Sequence, residues 1–374
     1  MINRLSIFNL YYQWWKNIDK FLFSIIILLF SIGLFFSLVS TSLIASDKLN
    51  TNNYSFFLKH LIFIALGVGL IFIFSLIDQE NLMNISLVIF LLSLVTLFLV
   101  PIIGVEVKGS KRWIDLYLLP RFQPIELVKP FLIIFISITL SSEKFKNMHL
   151  KYSFSFLITL LIVLLLAVQP DIGQTLLVLF SWSILIFISG ISISFLILFF
   201  SLLLLSFLLL LIFVPKFSYI KSRLISFFDT ESGTHNFQSD KAIESITSGG
   251  FFGKGLGEGV LKNKVPEAHT DYIIAVISEE FGVIAIILIL FLFLIFIYSV
   301  FKKVNSESEE RTKLILVGCI SLILMQVIIH IGVNIRLFPT TGMTLPFISY
   351  GGSSIISVSI LSGIILNLTK RKIN

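Results

Sequence analysis

Long apolar runs separated by short polar segments organise this chain. They fall at about Phe21–Leu43, Leu61–Ile77, Leu82–Ile103, Pro124–Leu140, Phe154–Val168, Ile172–Ile188, Ile191–Val214, Tyr272–Val300, Leu314–Asn334 and Pro346–Leu368. A helix rising 1.5 Å per residue needs about 20 apolar residues to cross a bilayer. The pattern therefore predicts an all-α polytopic membrane protein of about ten transmembrane helices. Only Gln169-Pro170-Asp171 and Ser189-Gly190 break the stretch from Phe154 to Val214, so the divisions there are the faintest. Before the first run, Tyr11, Tyr12, Trp14 and Trp15 mix with Arg4, Lys16 and Lys20. Aromatic and basic residues together favour the headgroup zone, so residues 1–20 read as a cytoplasmic, interfacial segment.

Composition sharpens this picture. Hydrophobic residues make up 56% of the 374 and charged ones only 13%, about half the share a soluble domain carries. A soluble enzyme, a disulfide scaffold and a disordered chain are excluded. The single cysteine, Cys319, lies inside an apolar run, and the five His are scattered. Neither a thiolate nor a His-cluster metal site follows from that usage. The first apolar run is longer than a signal-peptide core and lacks a small-residue cleavage site.

The net charge of +7 sets orientation and does not indicate nucleic-acid binding. With ten spans both termini share one side. Arg4, Lys16, Lys20, Lys144, Lys146, Lys151, Lys302, Lys303, Arg311, Lys313, Lys370, Arg371 and Lys372 then face one compartment, 13 of 28 basic residues. The positive-inside rule makes that side the cytoplasm and leaves the other bases to meet lipid headgroups. Residues 21–368 form one membrane domain, with a short cytoplasmic tail at 369–374. Two outer segments exceed plain connectors: 104–123, and 215–271 between helices 7 and 8. Loops this long are usually functional. No internal repeat is visible, which weighs against an inverted-repeat transporter.

Polar motifs collect at the outer helix ends. Gly109-Ser110-Lys111-Arg112-Trp113-Ile114-Asp115 precedes Gln123-Pro124-Ile125-Glu126-Leu127-Val128-Lys129-Pro130. Pro124 suits a first helical position and Glu126 the first turn. Glu126 and Lys129, spaced i,i+3, can neutralise each other as a structural or a functional ion pair. Lys111 and Arg112 either snorkel at the interface or bind phosphate oxygens, for which Arg offers a planar fork. Asp171 fits a helix cap. The glycines from Gly249 to Gly259, with Asn236 and Gln238, mark turns rather than a P-loop. Pro266-Glu267-Ala268-His269-Thr270-Asp271 stands before a span that contains Glu279 and Glu280, charges that need partners or a polar cavity. Thr270 or Asp271 could cap that helix. In Thr340-Thr341-Gly342-Met343-Thr344-Leu345-Pro346-Phe347-Ile348-Ser349-Tyr350-Gly351-Gly352-Ser353-Ser354, Gly351 and Gly352 fit close helix packing.

These stretches, GSKRWIDL, QPIELVKP, QPDIGQT, KVPEAHTDYIIAVISEEFG and TGMTLPFISYGGSS, occur in order across nearly the whole chain. In this the sequence resembles the SEDS family (shape, elongation, division and sporulation), its division branch more than its elongation branch. Two departures are visible. Thr341 stands where many division members carry Lys, and Asn334-Ile335-Arg336-Leu337 replaces a more Gly-rich segment.

The resemblance implies a ten-helix glycosyltransferase that polymerises lipid II beside a class B penicillin-binding protein and other divisome membrane proteins in the bacterial inner membrane. It implies Asp271 as the catalytic base. Lys111, Arg112, Trp113, Gln123, His269, Thr270 and Ser353 become substrate-binding residues. No resident cofactor is implied, and a divalent cation, Mg2+ or Mn2+, is an optional supplement. A lipid flippase or a recruiting scaffold could use the same spans. Few charges lie mid-membrane and the polar clusters are external, which favours the transferase.

Overall fold

The computed structural model describes residues 4–41, 55–107, 109–115, 120–143, 147–213 and 237–370, with Lys221, Ile225 and Phe227. Pro215, Asn236, Lys144, Lys146, Arg371 and Lys372, invoked above, lie outside the described residues, as does most of 215–236. The helices are α1 (Arg4–Asn17), α2 (Lys20–Thr41), α3 (Ser55–Leu76), α4 (Gln79–Ile103), α5 (Pro124–Ser141), α6 (Met148–Val168), α7 (Ile172–Ile188), α8 (Ile193–Phe213), α9 (Phe237–Gly249), α10 (Ile273–Ser306), α11 (Glu310–Asn334) and α12 (Gly352–Leu368). Eight of these are long and apolar enough to cross a membrane; α7 and α12 are shorter apolar helices. Strands β1 (Val105–Val107) and β2 (Ser110–Trp113) form an antiparallel hairpin within the first long outer segment.

Central α5 and α11 are mostly buried, while α8 lies at the edge and exposes Ile193, Leu198, Leu202, Leu208 and Phe213. Apolar side chains turned outward are what a lipid-bathed helix requires. This is a multi-pass membrane protein. Small residues let the inner helices approach. Gly67 of α3 packs against Ser359 and Ile355 of α12, and Gly363 of α12 against Ile71 and Phe74. The side chain of Phe63 fills the space beside Gly352, which fits the packing expected of that glycine.

One end of the bundle is tied by polar contacts. Lys303 pairs with Asp19 at 3.1 Å. Asn367 Nδ2 donates to Phe74 O at 2.8 Å and to Ile77 O at 2.5 Å. Trp14 Nε1 donates to Ser75 Oγ at 2.7 Å. That last contact corrects the interfacial reading of the first twenty residues. Tyr11, Tyr12 and Trp15 are exposed, but Trp14 is buried against Phe72 and Phe23 and belongs to the core.

The second correction concerns the last span. Residues 339–351 are turn and irregular structure, and α12 begins at Gly352 rather than Pro346. Glu279 and Glu280 find the partners that charges at that depth need. Glu279 accepts the N–H groups of Val260, Leu261 and Lys262 at 2.9, 2.8 and 2.5 Å and the Ser245 hydroxyl at 2.9 Å. Lys262 pairs with Glu280. At Gly282 the helix breaks, with φ 76 and ψ 179, a conformation open to glycine. Lys254 N donates to Glu279 O at 2.8 Å, and Val283 N to Gly250 O at 3.0 Å, satisfying backbone groups the break would orphan. Two buried carboxylates thus fasten residues 237–262 to the first turns of α10.

Candidate active site

The hairpin separates two residues that the sequence groups together. Successive strand residues point to opposite faces, so Lys111 is exposed while Arg112 is half-buried; Trp113 is half-buried as well. Lys111 and Arg112 therefore sit in different surroundings. Arg112 reaches the turn between α6 and α7, where Nε donates to Gln169 O at 3.3 Å and Nη2 to Pro170 O at 2.5 Å. Its Nε stands 3.6 Å from Asp171 Oδ2. Asp171 is the N-cap of α7, its Oδ1 accepting from Gln174 N at 3.3 Å, so the cap reading holds. It is also more than a cap. Gln123 Nε2 donates to Asp171 Oδ2 at 3.2 Å, and Gln123 N donates to Ser353 Oγ at 3.1 Å. Burial pushes the Asp171 carboxyl above its ordinary range, opposed by Arg112 and by the Gln174 N–H.

Behind this cluster, Glu126 and Lys129 pair at 2.8 Å on α5, both almost wholly buried. Gln174 Nε2 donates to Glu126 Oε1 at 2.7 Å. A continuous polar chain therefore runs from Arg112 through Asp171 and Gln174 to the Glu126–Lys129 pair.

Asp271 sits in a tight turn. The N–H groups of Thr270, Asp271 and Tyr272 lie 3.1, 3.1 and 3.3 Å from Glu267 O. Tyr272 occupies the N-cap of α10, so neither Thr270 nor Asp271 is the cap residue. The turn is held from outside at three successive carbonyls. Tyr350 N donates to His269 O at 3.1 Å, Ser349 Oγ to Thr270 O at 2.7 Å, and Asn334 Nδ2 to Asp271 O at 3.0 Å. The His269 ring packs 4.8 Å from Phe56 and 6.0 Å from Tyr350, and Thr270 Oγ1 donates back to Glu267 O at 3.2 Å. Both side chains brace the turn.

Residues 341–343 join the two clusters. A Cβ on Gly342 would stand 3.5 Å from Asp271 Oδ2, and one on Gly173, in the first turn of α7, 2.8 Å from Thr341 Cβ. The half-buried Asp271 carboxylate and the first turn of α7, which Asp171 caps, thus flank one short stretch of backbone. Gln123 and Ser353 share this end, Glu126 and Lys129 lie buried behind it, and Lys111 faces outward. The sequence reading missed the tertiary roles of Asp171 and Gln174, and of Gln326, His330 and Asn334 on α11. Polar residues four apart inside an apolar helix were the available signal. Among the described residues, no three His, Cys, Asp or Glu side chains stand together.

The chain matches the cell cycle protein family of FtsW, RodA and SpoVE over residues 19–374. It belongs to that family. It is 31% identical to the probable peptidoglycan glycosyltransferase FtsW of Caulobacter vibrioides, over 96% of this chain and 91% of that one. Identity to the Haemophilus influenzae protein of the same name is 33%, over 94% and 90%. Among solved structures it resembles a chain from a peptidoglycan synthase complex that coordinates polymerization and crosslinking. The TM-score is 0.77 with 25% identity, over 94% of this chain and 97% of that one. The Thermus thermophilus rod shape determining protein RodA shares the family's fold at a TM-score of 0.69, with 24% identity over 94% and 96%.

Proposed function

We propose that this protein is a peptidoglycan glycosyltransferase that polymerises lipid II at the division septum of the inner membrane. The observation that carries the reading is that residues 341–343 meet both the Asp271 carboxylate and the first turn of α7, whose N-cap Asp171 stands beside Arg112. A carboxylate and a held guanidinium at one site are what glycosyl transfer to a lipid pyrophosphate needs. Asp271 takes the proton from the acceptor sugar's 4-hydroxyl as its oxygen bonds to the donor's anomeric carbon. The bond from that carbon to the pyrophosphate oxygen breaks, its electron pair leaving with the pyrophosphate. General-base help is worth about 10²–10⁴-fold. Arg112, with Lys111 on the outer strand face, stabilises the charge on the leaving group. Gln123, Trp113, Thr270 and Ser353 line the approach, and His269 holds the turn that carries Asp271.

The likeness to relatives named as peptidoglycan glycosyltransferases supports the chemistry. The likeness to a synthase-complex chain supports a crosslinking partner, which we assign as a class B penicillin-binding protein alongside lipid-facing helices. The test is incubation of fluorescent lipid II with the purified chain and that partner, with products resolved by size. Glycan strands support the reading. Transfer of lipid II across vesicles without polymer would favour a flippase instead.

A further inference from the structure

We propose that Gln326, His330 and Asn334 form a positioning ladder that fixes the Asp271 turn in register with residues 342–344. This rests on the glycosyltransferase reading. The three residues lie four apart on one face of α11, each about 6 Å above the last. Each side chain donates to a backbone carbonyl of another segment. Gln326 Nε2 reaches Thr344 O at 3.0 Å, His330 Nδ1 lies 2.7 Å from Met343 O, and Asn334 Nδ2 reaches Asp271 O at 3.0 Å. A carbonyl only accepts, so the His330 proton is on Nδ1.

All three side chains are buried, at 5%, 1% and 0% exposure. Polar groups inside a membrane helix are costly, and the cheapest remedy is a bond to the helix's own backbone. Asn334 makes such a bond, to His330 O at 2.9 Å, and spends its other amide hydrogen on Asp271. The carbonyls bonded by the lower two rungs belong to the stretch that meets the Asp271 carboxylate at Gly342. The upper rung holds the catalytic turn itself. One rigid helix thereby sets both sides of the site. Among the described residues, the buried His330 Nε2 and Asn334 Oδ1 have no hydrogen-bond partner.

That asymmetry supplies the test. Asn places an amide nitrogen where His has Nδ1, Gln places one where His has Nε2, and Leu offers no donor. In the complex with its partner, His330→Leu, His330→Gln and Asn334→Ala lower kcat by about 10-fold or more, as misplacing a catalytic group does, with KM for lipid II within about 3-fold. His330→Asn stays within about 3-fold of wild type in kcat. Amide hydrogen exchange quickens in 267–272 and 341–345 for the first three variants and not for His330→Asn. Wild-type kcat in His330→Gln, or His330→Asn as impaired as His330→Gln, overturns the ladder. If His330→Leu does not fold, the Asn–Gln pair decides. If wild type makes no polymer, the functional reading fails and the exchange pattern alone judges the ladder.

Discussion

Arg112 on β2 and Asp171 at the head of α7 meet with Nε 3.6 Å from Oδ2, tying the outer hairpin to the helix bundle. Together with the bonds from Arg112 to Gln169 O and Pro170 O, this contact holds the only guanidinium of the KRW motif in place. With it, the charge is held at the head of α7, whose first turn packs on Thr341 and Met343. Arg112→Leu is expected to lower polymerisation by about 10²-fold, in the range of losing one electrostatic stabiliser. Arg112→Lys keeps the charge, loses the fork and should recover only part. Initial rates on lipid II at equal amounts of folded complex check both.

The Glu126–Lys129 pair lies in a low-dielectric position, and breaking such a pair costs about 3–5 kcal/mol because one charge is left buried. Glu126→Ala and Lys129→Ala should each reduce thermal stability more than the double change does. A double variant no more stable than either single one would argue against mutual neutralisation.

Gly342 has φ +70, and its Cβ position is 3.5 Å from Asp271 Oδ2. A methyl there meets both a backbone conformation costing an L-residue about 1–2 kcal/mol and the face of the proposed base. Gly342→Ala should lower kcat about 10-fold, by displacing a catalytic group, while membrane insertion and partner recovery stay near wild type. Comparison of kcat with yield separates the two effects.

Glu279→Gln tests the fastening of the outer loop. Hydrogen bonds to a charged group contribute about 1.5–3 kcal/mol, and this carboxylate accepts three backbone N–H groups and a hydroxyl. Proteolysis within 250–262 should become faster in the variant, with cleavage elsewhere unchanged. Equal cleavage rates would remove Glu279 as the anchor.

Much of this was legible in the chain. The apolar runs located the helices because a lipid-facing span must be apolar over its whole length, whatever it packs against. The i,i+3 spacing of Glu126 and Lys129 announced their pairing, since one helix turn decides it. What the sequence hid depends on chain reversals. The hairpin turns Lys111 and Arg112 to opposite faces, and no helical periodicity signals that. Asp171 meets Arg112 only because the α6–α7 turn folds under β2. Trp14 looked interfacial until α1 packed it against Phe72 of α3. The start of α12 was placed too early because Pro346, Phe347 and Ile348 are apolar and buried yet belong to a turn.

If Asp271 is the general base of glycan polymerisation, Asp271→Asn removes the proton acceptor and little else. The change is nearly isosteric, so the turn held by Tyr350, Ser349 and Asn334 should persist. The measurement is the rate of glycan strand formation from lipid II by the purified complex, wild type against variant at equal concentration. A loss of about 10²-fold or more is expected, with partner binding unchanged. Strand formation by Asp271→Asn at a near wild-type rate would contradict it.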